Sequence, residues 1–474
     1  MSCGCAAAAS SRGVKRSRRA CRLRNPRGKR RLRKEMPMAE FTRRQFLGMA
    51  GALGLGAASL GFFGCGSNAA SSSTTASSSS ASEAAPSFDP SDWDSVLEAA
   101  KGTTVTYIGY GQTAAYNDYF NNVFAPTIKE KYDLDFEYVQ VENTADIITL
   151  WLDEKQAGLG EGEGTTDTGW VSGPYYADSK DSGILWGDYL QYLPNMKYYK
   201  KDVAGVATSD GLPINGTMSL FASAFETFIY DSDKIDEADV PHNAQELLEY
   251  AKANPGRVTY PALPDYHGSY AARALIMDIC GSDVFANMPE DITAEEMKEQ
   301  LADGFEYLRE LNPYLWNEGK TYPTTYSDWV TMFADGSTDF IYGDAWVQSI
   351  IEAGSVPATT ESIAWEHTIT TPHFLTIPWD CPNLAGALVM CNEFLDIQSM
   401  CDRGVTGYPP ATECMDLSKL DDEQKKALEE CEAEYGMNSP SLEELAEVAV
   451  ADIPAWTKPI FEELWLTEVS GKTN

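Results

Sequence analysis

From residue 103 onward, short β-rich runs alternate with stretches of helical period. The run 103–107 (TTVTY) is β-branched and is broken by Gly109, Tyr110 and Gly111. Tyr116, Phe120, Val123, Phe124 and Ile128 then recur at three- and four-residue intervals, which predicts a helix with one apolar face. Residues 134–141 alternate again, Asn143 and Thr144 open a second helix that reaches Gly158, and 167–171 reads as a third strand closed by Ser172, Gly173 and Pro174. Strand, helix, strand, helix, strand predicts a parallel α/β sheet.

The second half repeats the style. Residues 224–230 (AFETFIY) read as a strong strand, and Asn243 followed by Glu246 is a capping-box arrangement at the head of a helix that buries Leu247, Leu248 and Ala251. Further strands are expected at 257–260, 338–342 and 374–377. Helices are expected from Gly268 and Ser269 to Cys280, over 329–334, over 385–400, and in an acidic C-terminal run from Asp421. Two α/β lobes whose strand ends face each other account for this order. About 385 residues suit two such lobes better than one core.

The N-terminus has a different composition. Residues 1–64 hold 15 of the 36 Lys and Arg but only Glu35 and Glu40 as acids, so 21 basic residues face 69 acidic ones from Cys65 on, a formal net charge of about −48. Thr42-Arg43-Arg44-Gln45-Phe46-Leu47 matches a twin-arginine export signal, and residues 46–63 are an uncharged run of 18 rich in Ala, Gly and Leu. That run is at the lower limit for spanning a bilayer. It ends at Gly64-Cys65, as a lipoprotein cleavage site does, which makes Cys65 the expected lipidation site. Residues 66–87 (GSNAASSSTTASSSSASEAAPS) lack apolar bulk and read as a flexible tether with a reach of roughly 25 Å. Translation starting at Met36 or Met38 would account for the basic leader, and export argues against a nucleic-acid-binding arm.

Beyond Cys65 the chain carries Cys280, Cys381, Cys391, Cys401, Cys414 and Cys431. Six cysteines in an exported chain allow fifteen pairings or none, and the spacing does not choose among them. No pair has CxxC spacing, so neither a zinc site nor a thioredoxin-like centre is expected.

In open parallel sheets ligands bind where strands end and loops leave for helices. The candidate loops therefore contain Tyr110 and Gln112, Ser172, Tyr266, His267 and Ser269, and Trp346, each mixing aromatic or glycine positions with hydrogen-bonding side chains. Catalytic motifs are missing: there is no GxSxG elbow and no HExxH, and the Gly-rich stretch 158–164 is acidic where a phosphate loop would not be. Carboxylate pairs such as Asp335 with Asp339, or Glu361 with Glu366, are what a chain this acidic produces by chance. No cofactor is expected.

Residues 247–270 (LLEYAKANPGRVTYPALPDYHGSY), 311–323 (LNPYLWNEGKTYP), 333–340 (FADGSTDF) and 375–394 (LTIPWDCPNLAGALVMCNEF) resemble stretches of the YnjB-like group of ABC transporter solute-binding proteins. With a more diffuse match over 103–186, the resemblance covers most of the chain after the tether. It implies a two-lobed, periplasmic-binding-protein-like α/β fold (type II) with the ligand cleft between the lobes, and no enzyme activity. The implied partners are an ABC permease and its ATPase, with the protein acting as a monomer on the outer face of the cytoplasmic membrane.

On that frame residues 1–64 are the signal region, 65–95 the anchored linker, 96–220 with 370–415 the first lobe, 221–369 the second, and 416–474 C-terminal helices. Net acidity favours a cationic ligand, thiamine-, polyamine- or metal-chelate-like, held over the faces of Tyr110, Tyr266 or Trp346. Backbone N–H groups of His267, Gly268 and Ser269 at a helix start would suit an anionic end, so a zwitterion satisfies both readings. A sugar is the alternative ligand, and a secreted glycan-processing enzyme the alternative class.

Overall fold

A computed structural model describes residues 88–111, 114–141, 143–171 and 174–471 of the chain. Cys65, the export signal and the tether lie outside the described residues, as do Gln112 and Ser172. Strands β1 (Thr104–Tyr110), β2 (Asp135–Val141), β3 (Thr168–Val171), β6 (Met218–Asp231), β7 (Phe340–Asp344), β8 (Thr360–Ile363), β9 (Thr368–Thr376) and β10 (Ala449–Ala451) form one sheet. Its order is β2-β1-β3-β9-β6-β7, with β10 also on β9 and β8 also on β6; β4 (Thr208–Ser209) and β5 (Leu212–Pro213) make a separate hairpin.

The pairing departs from the wholly parallel sheet expected. β1 pairs β2 and β3 in parallel, whereas β9 runs antiparallel to both β3 and β6, and β6 antiparallel to β7 and β8. Local alternation reports that a strand exists but not its direction, which is set by where the connecting chain returns.

Two apolar cores sit on this sheet, and β6 and β9 belong to both. Phe221 and Phe225 of β6 pack in the first core and Phe228 and Ile229 in the second; on β9, Phe374 and Leu375 join the first and Ile369 the second. All 14 residues of β6 are buried, so both of its faces are covered along its whole length. The first core is densely aromatic: between ring centroids, Phe120 lies 4.7 Å from Tyr138, and Phe124 4.4 Å from Phe394. Asp167, 2% exposed, ties β1 to the start of the helix Leu384–Phe394 by accepting from the backbone N–H of Thr106 (2.7 Å) and of Asn383 (2.6 Å).

The C-terminal residues divide between the cores. Leu428, Leu442 and Leu445 pack in the first, and Phe461, Leu464 and Trp465 in the second. The second attachment is reinforced by the fully buried Arg273, which pairs with Asp452, whose carboxylate also accepts from the Tyr270 hydroxyl at 2.6 Å.

Several expected elements change their bounds. The helix expected over 385–400 is two, Leu384–Phe394 and Ile397–Asp402, because Asp396 caps the second by accepting from Ser399 N–H. The strand expected at 257–260 is reduced to a single bridge between Val258 and Leu315. The capping box at Asn243 is offset by one residue: Asn243 accepts from Glu246 N–H (3.0 Å), while Glu246 reaches back to His242 N–H (2.8 Å). Replacing Asn243 by Ala should therefore cost about 1 kcal/mol of stability, read as a lower denaturation midpoint with an unchanged slope in a urea titration.

Candidate functional site

Directly opposed residues on neighbouring strands share a face of the sheet. Glu226 on β6 stands opposite Asp344 on β7 and Ile369 on β9, Ala224 opposite Thr371, and Ala222 opposite His373. Trp170 on β3 stands opposite Leu375 and so continues the same face. One face of the sheet around the two shared strands thus carries a carboxylate pair at its second-lobe end and an aromatic group with an imidazole at its first-lobe end. His373 is four residues from Ile369, roughly 13 Å along an extended strand.

At the acidic end Glu226 is completely buried, and neither carboxylate oxygen receives a hydrogen bond from the described residues. Its counter-charge is His267, whose Nδ1 lies 3.4 Å from Oε2, an ionic contact without hydrogen-bond geometry. His267 is held from its other side by Tyr326, stacked at 3.7 Å between ring centroids. Burial opposes a charged imidazole, but Glu226, with Asp344 and Asp265, outweighs it and raises the His267 pKa. Burial and the neighbouring Glu226 push Asp344 up to about 7, with His267 acting in the opposite sense. Three acidic side chains therefore act on one imidazole, and the site is short of basic groups.

At the start of the helix Tyr266–Cys280 the N–H groups of Gly268 and Ser269 are already satisfied. Asp265 is the cap: its Oδ1 accepts from Gly268 N–H (3.0 Å), its carbonyl from Ser269 N–H (2.8 Å), and its Oδ2 from Tyr326 N–H (3.1 Å). For Gly268 and Ser269 this corrects the expectation that 267–269 would present unpaired N–H groups to an anion; the carboxylate that caps the helix end also adds negative charge near His267. Gly268 is required by contact, since a Cβ there would lie 2.3 Å from the Pro261 carbonyl oxygen.

The other expected residues are placed as follows. Tyr266 is 42% exposed, with its ring 5.1 Å from His267 and 4.6 Å from Tyr270. Ser269 is fully buried and donates to Glu462 at 3.3 Å, behind the helix. Tyr110 ends β1 opposite Val141. Trp346, expected to line the cleft, is 1% exposed in the first core, its indole over Gly404 and Gly436, where added Cβ atoms would come within 2.9 and 3.3 Å of the ring. An aromatic just past a strand end serves as a core plug or as a pocket wall, and the chain returning at 404 and 436 decides which.

Sequence reasoning passed over Glu226, Tyr326, Thr371 and His373. Glu226 had a legible signal, a single acid inside the otherwise uncharged strand AFETFIY. His373 is buried, lies 5.2 Å from Trp170 and 5.1 Å from Tyr408, and is pushed down to about 4 by burial, so it is neutral at physiological pH. Its Nδ1 has no hydrogen-bond partner among the described residues. Three of the four acids in the candidate enzyme pairs have structural partners: Asp339 binds Arg257, Asp335 accepts from Ser337, and Glu361 accepts from Tyr230. A groove of about 940 Å³ between the helices Asp422–Tyr435 and Leu442–Val448 and β10 is reached by Thr370 of β9, on the opposite face of the strand from Thr371 and His373.

Two cores on a shared sheet, joined by crossing strands with polar groups gathered where they cross, define a two-lobed binding protein of the type II, periplasmic-binding-protein-like class. Residues 128–429 match the family model described as bacterial extracellular solute-binding protein, and the chain belongs to that family. It is 31% identical over 346 residues to Protein YnjB of Escherichia coli K12, covering 72% of this chain and 86% of that one. Among solved structures, the fold is similar to a spermidine/putrescine ABC transporter substrate-binding protein from Streptococcus pneumoniae (TM-score 0.53, 13% identity, covering 77% of this chain and 98% of that one). It is also similar to the cyclic alpha-maltosyl-1,6-maltose binding protein from Arthrobacter globiformis (TM-score 0.55, 15% identity, 78% and 94%). As a member of that family the protein is an extracellular solute-binding protein rather than an enzyme.

The raised pKa of Asp344 has a stability consequence. In the unfolded chain the group ionises near 3.8 and in the folded one near 7, so folded protein binds the extra proton between these values and loses stability as pH rises through them. Asp344→Asn should raise the melting temperature of ligand-free protein at neutral pH, with the gap to wild type widening from about pH 4 to about pH 7 in a series of thermal melts.

Proposed function

We propose that this protein is the lipid-anchored receptor of an ABC importer for a positively charged organic solute, bound between the lobes by the carboxylates of Glu226 and Asp344. The observation that carries the reading is Glu226: a fully buried carboxylate with no hydrogen-bond donor among the described residues and only one imidazole for its charge. Burying a charge without full pairing costs several kcal/mol, and a ligand ammonium would supply what is missing. His267, Tyr326 and the exposed Tyr266 form the wall beside it, and an aromatic ring adds attraction for a cation.

Acid capping of the helix Tyr266–Cys280 favours a simple cation over a zwitterion. The loops carrying Tyr110, Gln112 and Ser172 would contribute from the first lobe, with the ligand held by contacts made in the closed state. The polyamine ligand in the name of the Streptococcus relative suits this chemistry. The sugar reading has its own support in the rings of Trp170 and Tyr408 beside the neutral His373, where a sugar face could stack.

Calorimetric titration against spermidine, thiamine, a quaternary ammonium and a set of oligosaccharides separates these. The expected result is binding of a cation, weakened at least about tenfold by Glu226→Gln, as for loss of one partner of a buried charge pair. Tight binding of an oligosaccharide or of an anion alone would overturn the cationic reading. The membrane anchor is tested separately: Cys65→Ser should move the protein from the membrane to the soluble exported fraction without changing its circular dichroism, and continued membrane retention of processed protein would overturn lipidation.

A further inference from the structure

The first core brings two thiols together. Cys401 lies in the helix Ile397–Asp402 and Cys431 in the helix Asp422–Tyr435, 3% and 4% exposed. The Cys431 Sγ is 3.3 Å from the carbonyl oxygen of Cys401. The adjoining Cys401 thiol, with burial and the nearby Asp402 and Glu434, raises the Cys431 pKa and keeps it protonated. Other thiols have separate engagements: Cys381 donates to Asp167 (3.6 Å) and Cys414 to the carbonyl of Ala204 (3.4 Å), while Cys391 lies beside Ser219 and Tyr189. Cys280 is half-buried against the second core.

Sequence spacing leaves fifteen pairings open; the fold brings these two helices into contact at these two residues. A disulfide requires Cβ atoms about 3.8 Å apart, and the Cys431 Sγ already lies against the backbone of the other cysteine. The family is extracellular, and extracellular compartments sustain disulfides. We propose that in the exported protein Cys401 and Cys431 are joined as a disulfide.

The bond forms by exchange with a disulfide-bearing thiol oxidoreductase outside the cytoplasm. One cysteine thiolate attacks the donor disulfide and releases one donor thiolate. The second cysteine, deprotonated, then displaces the other donor sulfur. The pair loses two electrons and two protons, and the donor leaves as a dithiol. Burial makes the closed pair unreactive, so exchange occurs before the helix Asp422–Tyr435 packs or when it opens locally. Afterwards the Trp346 indole, seated over Gly404 and Gly436, shields the bond; a Cβ on Gly404 would come within 3.2 Å of the Cys431 Sγ.

The loop so closed contains Arg403 and Tyr408. Arg403 donates to the Phe394 carbonyl at 2.7 Å and lies over the rings of Phe221 and Phe394, and Tyr408 packs on His373 at the first-lobe end of the site. A cross-link would thus restrain the segment that builds that wall.

The test uses full-length protein taken from the exported fraction, alkylated in denaturant without reductant and mapped by mass spectrometry. The expected result is one peptide pair linked through Cys401 and Cys431, lighter by two hydrogens than the separate thiol peptides and released by reduction. Alkylation of both cysteines as free thiols, or linkage of either to a different cysteine, would overturn the proposal. As a second measurement, Cys401→Ala, Cys431→Ala and the double variant should each lower the melting temperature by about the same amount, on the order of 5 °C. Additive losses would mean independent thiols and would equally overturn it.

Discussion

The antiparallel pairing of β6 with β9 is the constraint on which the rest depends. Register from Met218 opposite Thr376 to Glu226 opposite Ile369 makes both strands members of two cores. Their first-lobe halves are held by aromatic packing around Phe221 and Phe374, their second-lobe halves by Phe228 and Ile369. A one-residue slip would turn Glu226, Thr371 and His373 to the opposite face of the sheet and bring Phe225, Thr370 and Pro372 into their place. The bulge between Leu220 and Ala222 changes register near the first-lobe end, where Phe221 packs against Tyr116 and Phe394.

Acidity acts on two levels. Most of the 69 acidic residues from Cys65 onward are solvated charge that keeps the chain soluble and attracts cations at long range. A few acids are buried and have specific partners. Asp167 is satisfied by two backbone N–H groups and a thiol, and Asp339 is met by the Arg257 guanidinium. Glu226 and Asp344 differ because the sheet places them side by side with a single imidazole, that of His267, to balance both. Burial and the charge of Glu226 raise the proton affinity of Asp344, and the repulsion is relieved by a proton or by a bound cation.

Relatives that share this fold at 13% and 15% identity carry names for ligands as different as polyamines and a maltosyl sugar. The physical reason is a division of labour within the sheet. The cores need apolar volume on both faces of the crossing strands, which many sequences supply. A ligand meets only the few side chains that emerge where the strands cross and where the loops leave. In the site proposed for this chain those are two carboxylates, an imidazole and tyrosines at one end, and Trp170, His373 and Tyr408 at the other.

Hydrophobic periodicity and turn chemistry establish the alternation of strands and helices and the helix starts at Asn243 and Asp421, because each depends on residues within one or two turns of each other; chain length adds the expectation of two lobes. They also single out Tyr266 and His267, since a helix start rich in aromatics and glycine is a local feature. Long-range packing sets the rest: β9 runs antiparallel to β3 and β6, Trp346 is enclosed by Gly404 and Gly436, and Asp265 closes the helix end expected to be open while also holding Tyr326. Most of those contacts join segments tens to more than a hundred residues apart. Whether a carboxylate such as Glu226 is solvated or stranded is set by what the rest of the chain packs around it, a quantity no local pattern contains.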